Sequence, residues 1–551
     1  MAVLDTVEPF PDVDIWSLLF EHQKAFPKDK TIYIDAATSR SKTFAEVKDE
    51  AAKFGTTLIL EWQWEKDDVL AICTTNSIDV PALIWGTQYA AGVVAPLNPA
   101  STVEELTRQL IKTGARAMCT QPEFLGKAKS AALAAGMNPT QIFMIGCSDT
   151  LELDAGVRTF SEMCTAQRLI LPRPPIEHPG ERLAFLVFSS GTTGLPKAVK
   201  LTHRNVVSSL LMLSSAETEL SFNGGPNNQG DCLLGFLPFF HVLGLMALVH
   251  LTLYKGLRLV VMQKFTLSGF CQAVQDYKIT YAHVVPPVVL QLSKSSIVDE
   301  YDLSSIRMLA CGAAPLSKEL IASLWQRLSI KVVQGYGLSE TCGGTHMQTW
   351  YEWQTKAGTI GRLLAHQTAK LISESGQKVP IGMTGELCIK GPNIFAGYLD
   401  DPQATAQCFT ASGYFRTGDI GYQDESGNFY ITDRLKELIK YNGFQVPPAE
   451  LESILLGHSR VVDACVVAVD DHEHATQLPL ACVVLRVGEG ANKETANEIK
   501  EWVDSKVPHY KKLRGGVLFV KEVPRSATGK ILRSLMKQEV RRQATQIKSR
   551  L

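Results

Sequence analysis

Short apolar runs alternate with helical stretches through the first four-fifths of the chain. Residues 183–188 are a continuous apolar run, the pattern of a strand buried on both faces. Residues 233–237 form another, closed by Pro238, and helix-like sequence follows from His241. Residues 242–262 read as a core helix followed by a strand at 257–262. Residues 306–310 form a strand that runs into Gly312-Ala313-Ala314-Pro315. The next helix has Pro315 near its first turn and Leu320, Leu324 and Leu328 on one face. Val332 and Val333 start a strand ending in Gly335-Tyr336-Gly337. This βαβα order predicts an α/β fold of mainly parallel sheets covered by helices.

Beyond Asp433 the texture changes. A charged stretch, residues 433–440, leads into strands at 461–469, 480–487 and 516–520, an amphipathic helix at 492–507, and a helix from Lys530 onward. The expected organisation is a large N-terminal domain (1–433), a linking segment (434–437) and a small α+β C-terminal domain (438–551).

Bulk properties narrow the function. A chain of 551 residues is too long for one core. Its 55 basic and 56 acidic residues balance, which disfavours nucleic acid as a partner. Twelve cysteines show no CxxC pair, so neither a zinc site nor a disulfide framework is expected. No stretch of eighteen uncharged apolar residues exists to span a membrane. The N-terminus is acidic and lacks the apolar core of a secretory signal. Ser549-Arg550-Leu551 is a variant of the Ser-Lys-Leu peroxisomal address, so a peroxisomal import receptor is an expected partner.

Four motifs carry candidate chemistry. Residues 188–197 read FSSGTTGLPK: Ser189, Ser190, Thr192 and Thr193 supply hydroxyls, Gly191 and Gly194 allow close backbone approach, and Lys197 adds a cation. Such a loop after a strand suits a polyphosphate, although its spacing is not that of a Walker A loop. Residues 334–341 read QGYGLSET. Tyr336 offers a stacking face between two glycines, and Glu340 suits Mg²⁺. Residues 414–419 read YFRTGD, expected as a turn in which Asp419 can accept hydrogen bonds from a ribose diol, with Arg434 nearby in sequence. Lys440 and Lys530 stand in the small domain, Lys530 after Gly529 in PRSATGK.

Taken in order, these motifs, with LPFFH, MQKF, GAAPL and DRLKELIKYNGFQVPPAELE, make the chain resemble the adenylate-forming enzymes. These include acyl-CoA synthetases, adenylation domains of nonribosomal peptide synthetases and firefly luciferase. The resemblance spans roughly residues 20–540 and is strongest to the 4-coumarate–CoA ligase branch. It implies a two-step reaction using ATP, Mg²⁺ and coenzyme A. A carboxylate attacks ATP to give acyl-AMP and pyrophosphate, then the coenzyme A thiol displaces AMP. It also implies that the small domain is mobile, rotating about Lys436 between the steps, so that Lys530 serves the first and Lys440 the second.

Further roles carry over position by position. Ser189 to Gly194 and Lys197 would hold the β,γ-phosphates. Gly312, Ala313, Ala314, Gln334, Gly335, Tyr336 and Gly337 would frame the adenine. Ser339 and Glu340 would serve the α-phosphate and Mg²⁺, with Thr192 the second metal position, and Asp419 and Arg434 would bind ribose. His241 would lie beside the acyl carboxylate, and Gln445 close to the adenylate. Lys264, Lys440, Asn442 and Gly443 would meet coenzyme A, although Asn442 stands where a lysine is frequent. The acyl pocket would draw on His241, Val242, His283, Val284, Gly312, Gly335, Gly337, Cys342 and Gly343, a mostly small and apolar set with no acidic residue. The function expected is an ATP-dependent carboxylic acid–CoA ligase acting on aryl, phenylpropanoid-type or fatty acids. The alternatives are a luciferase-like oxygenase and an adenylating enzyme that loads a carrier-protein thiol.

Overall fold

A computed structural model describes residues 10–146, 157–166, 169–189, 196–224, 230–442, 444–471, 474, 476–526 and 529–548. Five expected phosphate-loop residues (Ser190, Gly191, Thr192, Thr193 and Gly194), Gly443 and the terminal Ser549-Arg550-Leu551 lie outside this set.

The described residues build two large sheets. A seven-stranded sheet runs in the order Arg158–Thr159, Ile142–Met144, Ala115–Thr120, Val69–Cys73, Val93–Leu97, Leu183–Ser189 and Lys197–Thr202. It is parallel except for its last pair. A nine-stranded sheet is parallel through Val332–Leu338, Met308–Cys311, Tyr281–Val284, Cys232–Gly235, Arg258–Val261 and Thr31–Asp35, with antiparallel strands at both ends. The Val80–Tyr89 helix is buried along its whole length, as is the Gly244–His250 turn of π-helix. These segments join both sheets in one core, which explains why they are apolar all round. Thr43 with Glu46 and Thr102 with Glu105 form capping boxes that fix where two amphipathic helices begin.

Two elements differ from the sequence expectation. Thr368–Ile372, Gly385–Lys390, Phe415–Gln423 and Phe429–Arg434 form a four-stranded antiparallel sheet, so YFRTGD lies in a strand rather than a turn. A bulge opposite Leu387, with Gly418 at φ +72°, interrupts that strand just before Asp419. The second difference is at Lys530. The last helix starts at Arg533, and Lys530 stands in the preceding loop, its N–H donating to Ser526 Oγ at 3.2 Å.

Beyond the four-stranded sheet, a hairpin (Ile439–Tyr441, Phe444–Val446) precedes a second lobe. Its sheet pairs Val461–Asp471 with Thr476–Leu485, and the latter with Gly516–Phe519. Alternation along Val461–Asp471 sends Ala464 and Val466 into one small core and Cys465 and Val467 into another. Among the described residues no helix is long and apolar enough to cross a membrane.

Candidate active site

A cavity of about 490 Å³ opens at the carboxyl ends of Tyr281–Val284, Met308–Cys311 and Val332–Leu338. Open α/β sheets present ligands at this edge because the strands stop and their loops diverge. Three other parts close the cavity: the helical run following His241, the four-stranded sheet, and the loop bearing Lys530.

One end is polar. Ser189 pairs with Lys197 across the last two strands of the seven-stranded sheet, and both reach the cavity. The Lys197 ammonium lies 3.6 Å from Asp401 Oδ2 and 4.8 Å above the ring of Tyr398. Tyr398 in turn donates to Glu340 Oε1 at 2.9 Å. A cation and a carboxylate thus share one wall through Tyr398, the cation over its ring and the carboxylate at its hydroxyl. Sequence reasoning missed Tyr398 and Asp401; the turn-forming Gly397 and the acidic pair Asp400-Asp401 were the available signal. Ser339 also lines the cavity. Among the described residues, no cluster of three His, Cys, Asp or Glu could hold a metal. Glu340 is a single carboxylate on the cavity wall, which is as much as a protein need supply to an ion held chiefly by phosphate oxygens and water.

Next to this end the backbone of Gly312, Ala313, Gly335 and Gly337 forms a wall around Tyr336. Ala313 sits at φ +69°, a strained choice for a residue with a Cβ and one that concentrates at ligand sites. A Cβ on Gly337 would lie 2.0 Å from the Gly343 carbonyl oxygen, so only glycine fits there. Tyr336 donates to Asp419 Oδ2 at 2.5 Å, and Arg434 Nε lies 3.0 Å from Asp419 Oδ1. Asp419 is buried behind these two side chains and holds both. Burial pushes its carboxyl up, and the Arg434 guanidinium opposes that shift. Gln334 and Ala314 do not line the cavity. The Gln334 side chain is spent on accepting from Gly358 N at 2.9 Å and donating to Leu316 O.

Lys530 enters from the second lobe. Its neighbour Gly529 has φ +77°, and a Cβ there would stand 3.2 Å from Val285 Cγ2 and 3.4 Å from Pro287. The loop is therefore pressed onto the start of the Pro286–Lys294 helix, where a side chain at 529 would be strained by the positive φ and crowded by Val285 and Pro287. Burial, with the Arg434 charge second, lowers the Lys530 ammonium to about 8, while Glu437 and Asp419 oppose this. His241 lines the same space. Burial and the Lys530 charge push its imidazole down to about 4, so it is neutral near pH 7. Its Nδ1 accepts from Leu243 N at 3.4 Å. Lys436 lines the cavity too, and the adjacent Glu437 pairs with Arg533 at 2.6 Å.

The other end is mostly apolar, built from Val242, Met246, Ala247, Leu213, Leu251, Gly343 and Gly344, with His283 among them. Val284 and Cys342 are buried behind the wall. Strand alternation turns Val284 away from His283, and Cys342 Sγ packs 3.9 Å from Met246 Sδ. The expectation of a pocket without an acidic residue is corrected here, because buried Glu217 reaches the cavity. Its position at the end of the His203–Ala216 helix, in a run reading AETEL, gives it the sequence signature of a solvated residue.

Four expected contacts stand away from the cavity. Lys264 and Lys440 are exposed; Asn442, at φ +45°, forms the hairpin turn; Gln445 donates to Glu374 at 2.8 Å. Lys530 and Lys440 thus occupy different surroundings, one in the cavity and one outside it.

Comparison with known proteins decides the family. The AMP-binding enzyme family matches residues 19–399, and the AMP-binding enzyme C-terminal domain matches residues 450–530. A probable 4-coumarate–CoA ligase 1 of Dictyostelium discoideum is 35% identical over 539 residues, covering 96% of this chain and 95% of that protein. The 4-coumarate–CoA ligase of Pinus taeda is 35% identical over 536 residues, covering 95% of each. The chain is an acid–CoA ligase of the AMP-binding enzyme family. The ligase also shares its fold with solved structures. The ATP-bound MatB of Rhodopseudomonas palustris superposes with TM-score 0.84 at 24% identity, over 96% of this chain and 98% of that one. The anthranilate CoA ligase AuaEII with anthranoyl-AMP gives 0.85 at 20% identity, over 97% and 98%. In the ligase, then, the cavity between the large sheets and the Lys530 loop is the place to seek the nucleotide and the acid.

Proposed function

We propose that this ligase joins an aryl, phenylpropanoid-type or fatty acid to coenzyme A in two steps at the cavity described above. The supporting observation is the placement of Lys530 in the cavity beside His241, while Lys440 stays outside. In the first step the acid carboxylate attacks the α-phosphorus of ATP and pyrophosphate leaves. An anion approaching a polyanion needs positive charge where they meet, and the Lys530 ammonium supplies it in a partly desolvated site. Lys197, Ser189 and the residues 190–194 are proposed to hold the β,γ-phosphates, with Tyr336 against the adenine and Asp419 and Arg434 at the ribose. Neutral His241 would orient the carboxylate through a ring N–H. Mg²⁺, when bound through Glu340 and the nucleotide, would neutralise phosphate charge.

In the second step the thiolate sulfur of coenzyme A attacks the acyl carbonyl carbon, and the C–O bond to AMP breaks. The pyrophosphate whose departure Lys530 assists has left by then, and the side chain would obstruct the thiol. We propose that the second lobe then turns about Lys436, withdrawing Lys530 and bringing the hairpin of Lys440, Asn442 and Gly443 to the cavity. Lys264 and Gln445 would join the site only in that arrangement. The 4-coumarate–CoA ligase relatives favour neither the oxygenase nor the carrier-loading alternative.

The test is a half-reaction comparison. Lys530→Ala should slow adenylation by roughly 10²–10³-fold, as for loss of one electrostatic stabiliser, and leave thioester formation from supplied acyl-AMP within threefold of the unmodified enzyme. Equal loss in both half-reactions would contradict the assignment. We also propose peroxisomal delivery through Ser549-Arg550-Leu551, because those residues resemble the Ser-Lys-Leu address. A fluorescent fusion with a free tail should enter peroxisomes and become cytosolic when those residues are removed; an unchanged distribution would refute it.

A further inference from the structure

The strand that carries Asp419 does not reach it by regular pairing. Cys388 faces Arg416 and Glu386 faces Ile420, so Leu387 alone stands opposite Thr417, Gly418 and Asp419. Three residues against one leave backbone groups on that edge without ladder partners. Side chains supply them. Thr417 Oγ1 donates to Leu387 O at 2.8 Å and accepts from Asp419 N at 3.1 Å. Gly418 N donates to Glu386 Oε1 at 3.2 Å. Glu386 Oε2 accepts from Arg416 Nε at 3.0 Å and from Arg416 Nη2 at 2.5 Å. Glu386 is 7% exposed, and a carboxylate is rarely buried unless such bonds fix it. One side chain of the neighbouring strand thus ties down both the start of the bulge and its middle.

The bulge leads straight into Asp419. Tyr336 and Arg434 occupy two of the roughly four acceptor sites that a carboxylate offers. A ribose diol must use the other two, so the position of Asp419 tolerates little displacement. Packing does not supply that precision at the bulge itself. Gly418 has φ +72°, and a Cβ there would meet no atom within 4 Å among the described residues. Hydrogen bonds hold it instead: Glu386 at its N–H, and Leu435 N at its carbonyl at 2.9 Å. Without the Glu386 carboxylate the Gly418 N–H must turn to water, and the chain entering Asp419 turns with it. Arg416 is less critical, because its side chain is 42% exposed and water can replace its partner.

Resting on the reading of Asp419 as the ribose contact, we propose that Glu386 is a positioning residue, which fixes the bulge at Gly418 and so aims Asp419 at the ribose hydroxyls.

The experiment measures Kd for ATP and for 2′-deoxy-ATP by titration calorimetry with Mg²⁺ present and no acid or coenzyme A. The unmodified enzyme should bind ATP at least about tenfold more tightly, and Asp419→Ala should erase that preference. Glu386→Ala should lower the preference at least about threefold. Glu386→Gln keeps an oxygen for the Gly418 N–H and should retain the preference to within about twofold. On an Asp419→Ala background, Glu386→Ala should change the Kd for ATP by less than about twofold, because it acts through Asp419. If Glu386→Ala does not fold by thermal unfolding, Glu386→Asp, which withdraws the carboxylate by one methylene, should lower the preference in its place. A preference unmoved by the Glu386 variants would overturn the proposal, as would an undiminished effect of Glu386→Ala on the Asp419→Ala background. Equal affinity of the unmodified enzyme for the two nucleotides would instead count against the ribose reading of Asp419, and the proposal would fall with it.

Discussion

In the proposed adenylation step Lys530 acts through its charge, and its surroundings set the pH at which that charge is lost. With the ammonium lowered to about 8, the free enzyme loses the active form as pH rises through that value. The kcat/KM for ATP in adenylation should therefore fall about tenfold per pH unit above ~8. Lys530→Arg keeps a cation that does not titrate there, so its residual activity should lack that limb. An unchanged limb in the arginine variant would assign the titration elsewhere. His241 should add no limb between pH 6 and 7, because it is already neutral. The motif residues were legible at this scale because Gly, Lys, Tyr and Asp in fixed order imply a nucleotide cradle. Their partners were not. That Asp419 would be buried beneath Tyr336 and Arg434, or that Glu217 would reach a cavity, depends on which chain packs on top, and neighbouring sequence does not carry that information.

Elements show the same division. The buried parallel strands were visible because a strand covered on both faces is apolar throughout, as residues 183–188 and Met308–Cys311 are. Phe415–Gln423 was not visible. Its residues, FRTGDIGYQ, have turn-like composition, and its extended form is imposed by pairing with Gly385–Lys390 and Phe429–Arg434. The bulge at Gly418 is what a turn-like sequence becomes inside a sheet. The Lys530 loop was misread as helix because the pattern after it is helical, whereas the bonds between Ser526 and Lys530 hold the start back to Arg533. Gly529→Ala tests this loop. Its positive φ and its contact with Val285 and Pro287 predict adenylation slowed at least about tenfold, with thioester formation from acyl-AMP spared. An undiminished adenylation rate would mean that the loop need not dock there.

At the scale of the whole molecule, two lobes with separate cores meet over one cavity. Lys294 of the large lobe donates to Val461 O at 3.1 Å and Leu456 O at 3.5 Å in the small lobe, and Gln445 of the small lobe donates to Glu374 at 2.8 Å, so side-chain hydrogen bonds help to fasten the described arrangement. Such contacts suit the proposed departure of the lobe after adenylation. Inside the small lobe, Arg533 Nη2 donates to both carboxylate oxygens of Glu452 at 2.7 Å, and its Nη1 donates to Glu437 at the end of the linking segment. Arg533→Ala would leave Glu452 buried and uncompensated. It should destabilise the small lobe by about 3–5 kcal/mol, seen as an earlier unfolding transition; a shift worth under about 1 kcal/mol would show that the pair is dispensable. The α/β class and the presence of a distinct terminal segment were legible from the rhythm of apolar runs. The antiparallel sheet bridging the lobes was not, because its strands depend on one another and not on a local pattern.

The central claim is that an acid is joined to AMP in this cavity with the help of Lys530. Acid-dependent exchange of labelled pyrophosphate into ATP measures that step alone, without coenzyme A. The account predicts exchange with at least one aryl or aliphatic acid and a loss of roughly 10²-fold or more in Lys530→Ala. No exchange with any acid offered, or exchange undiminished in that variant, would contradict it.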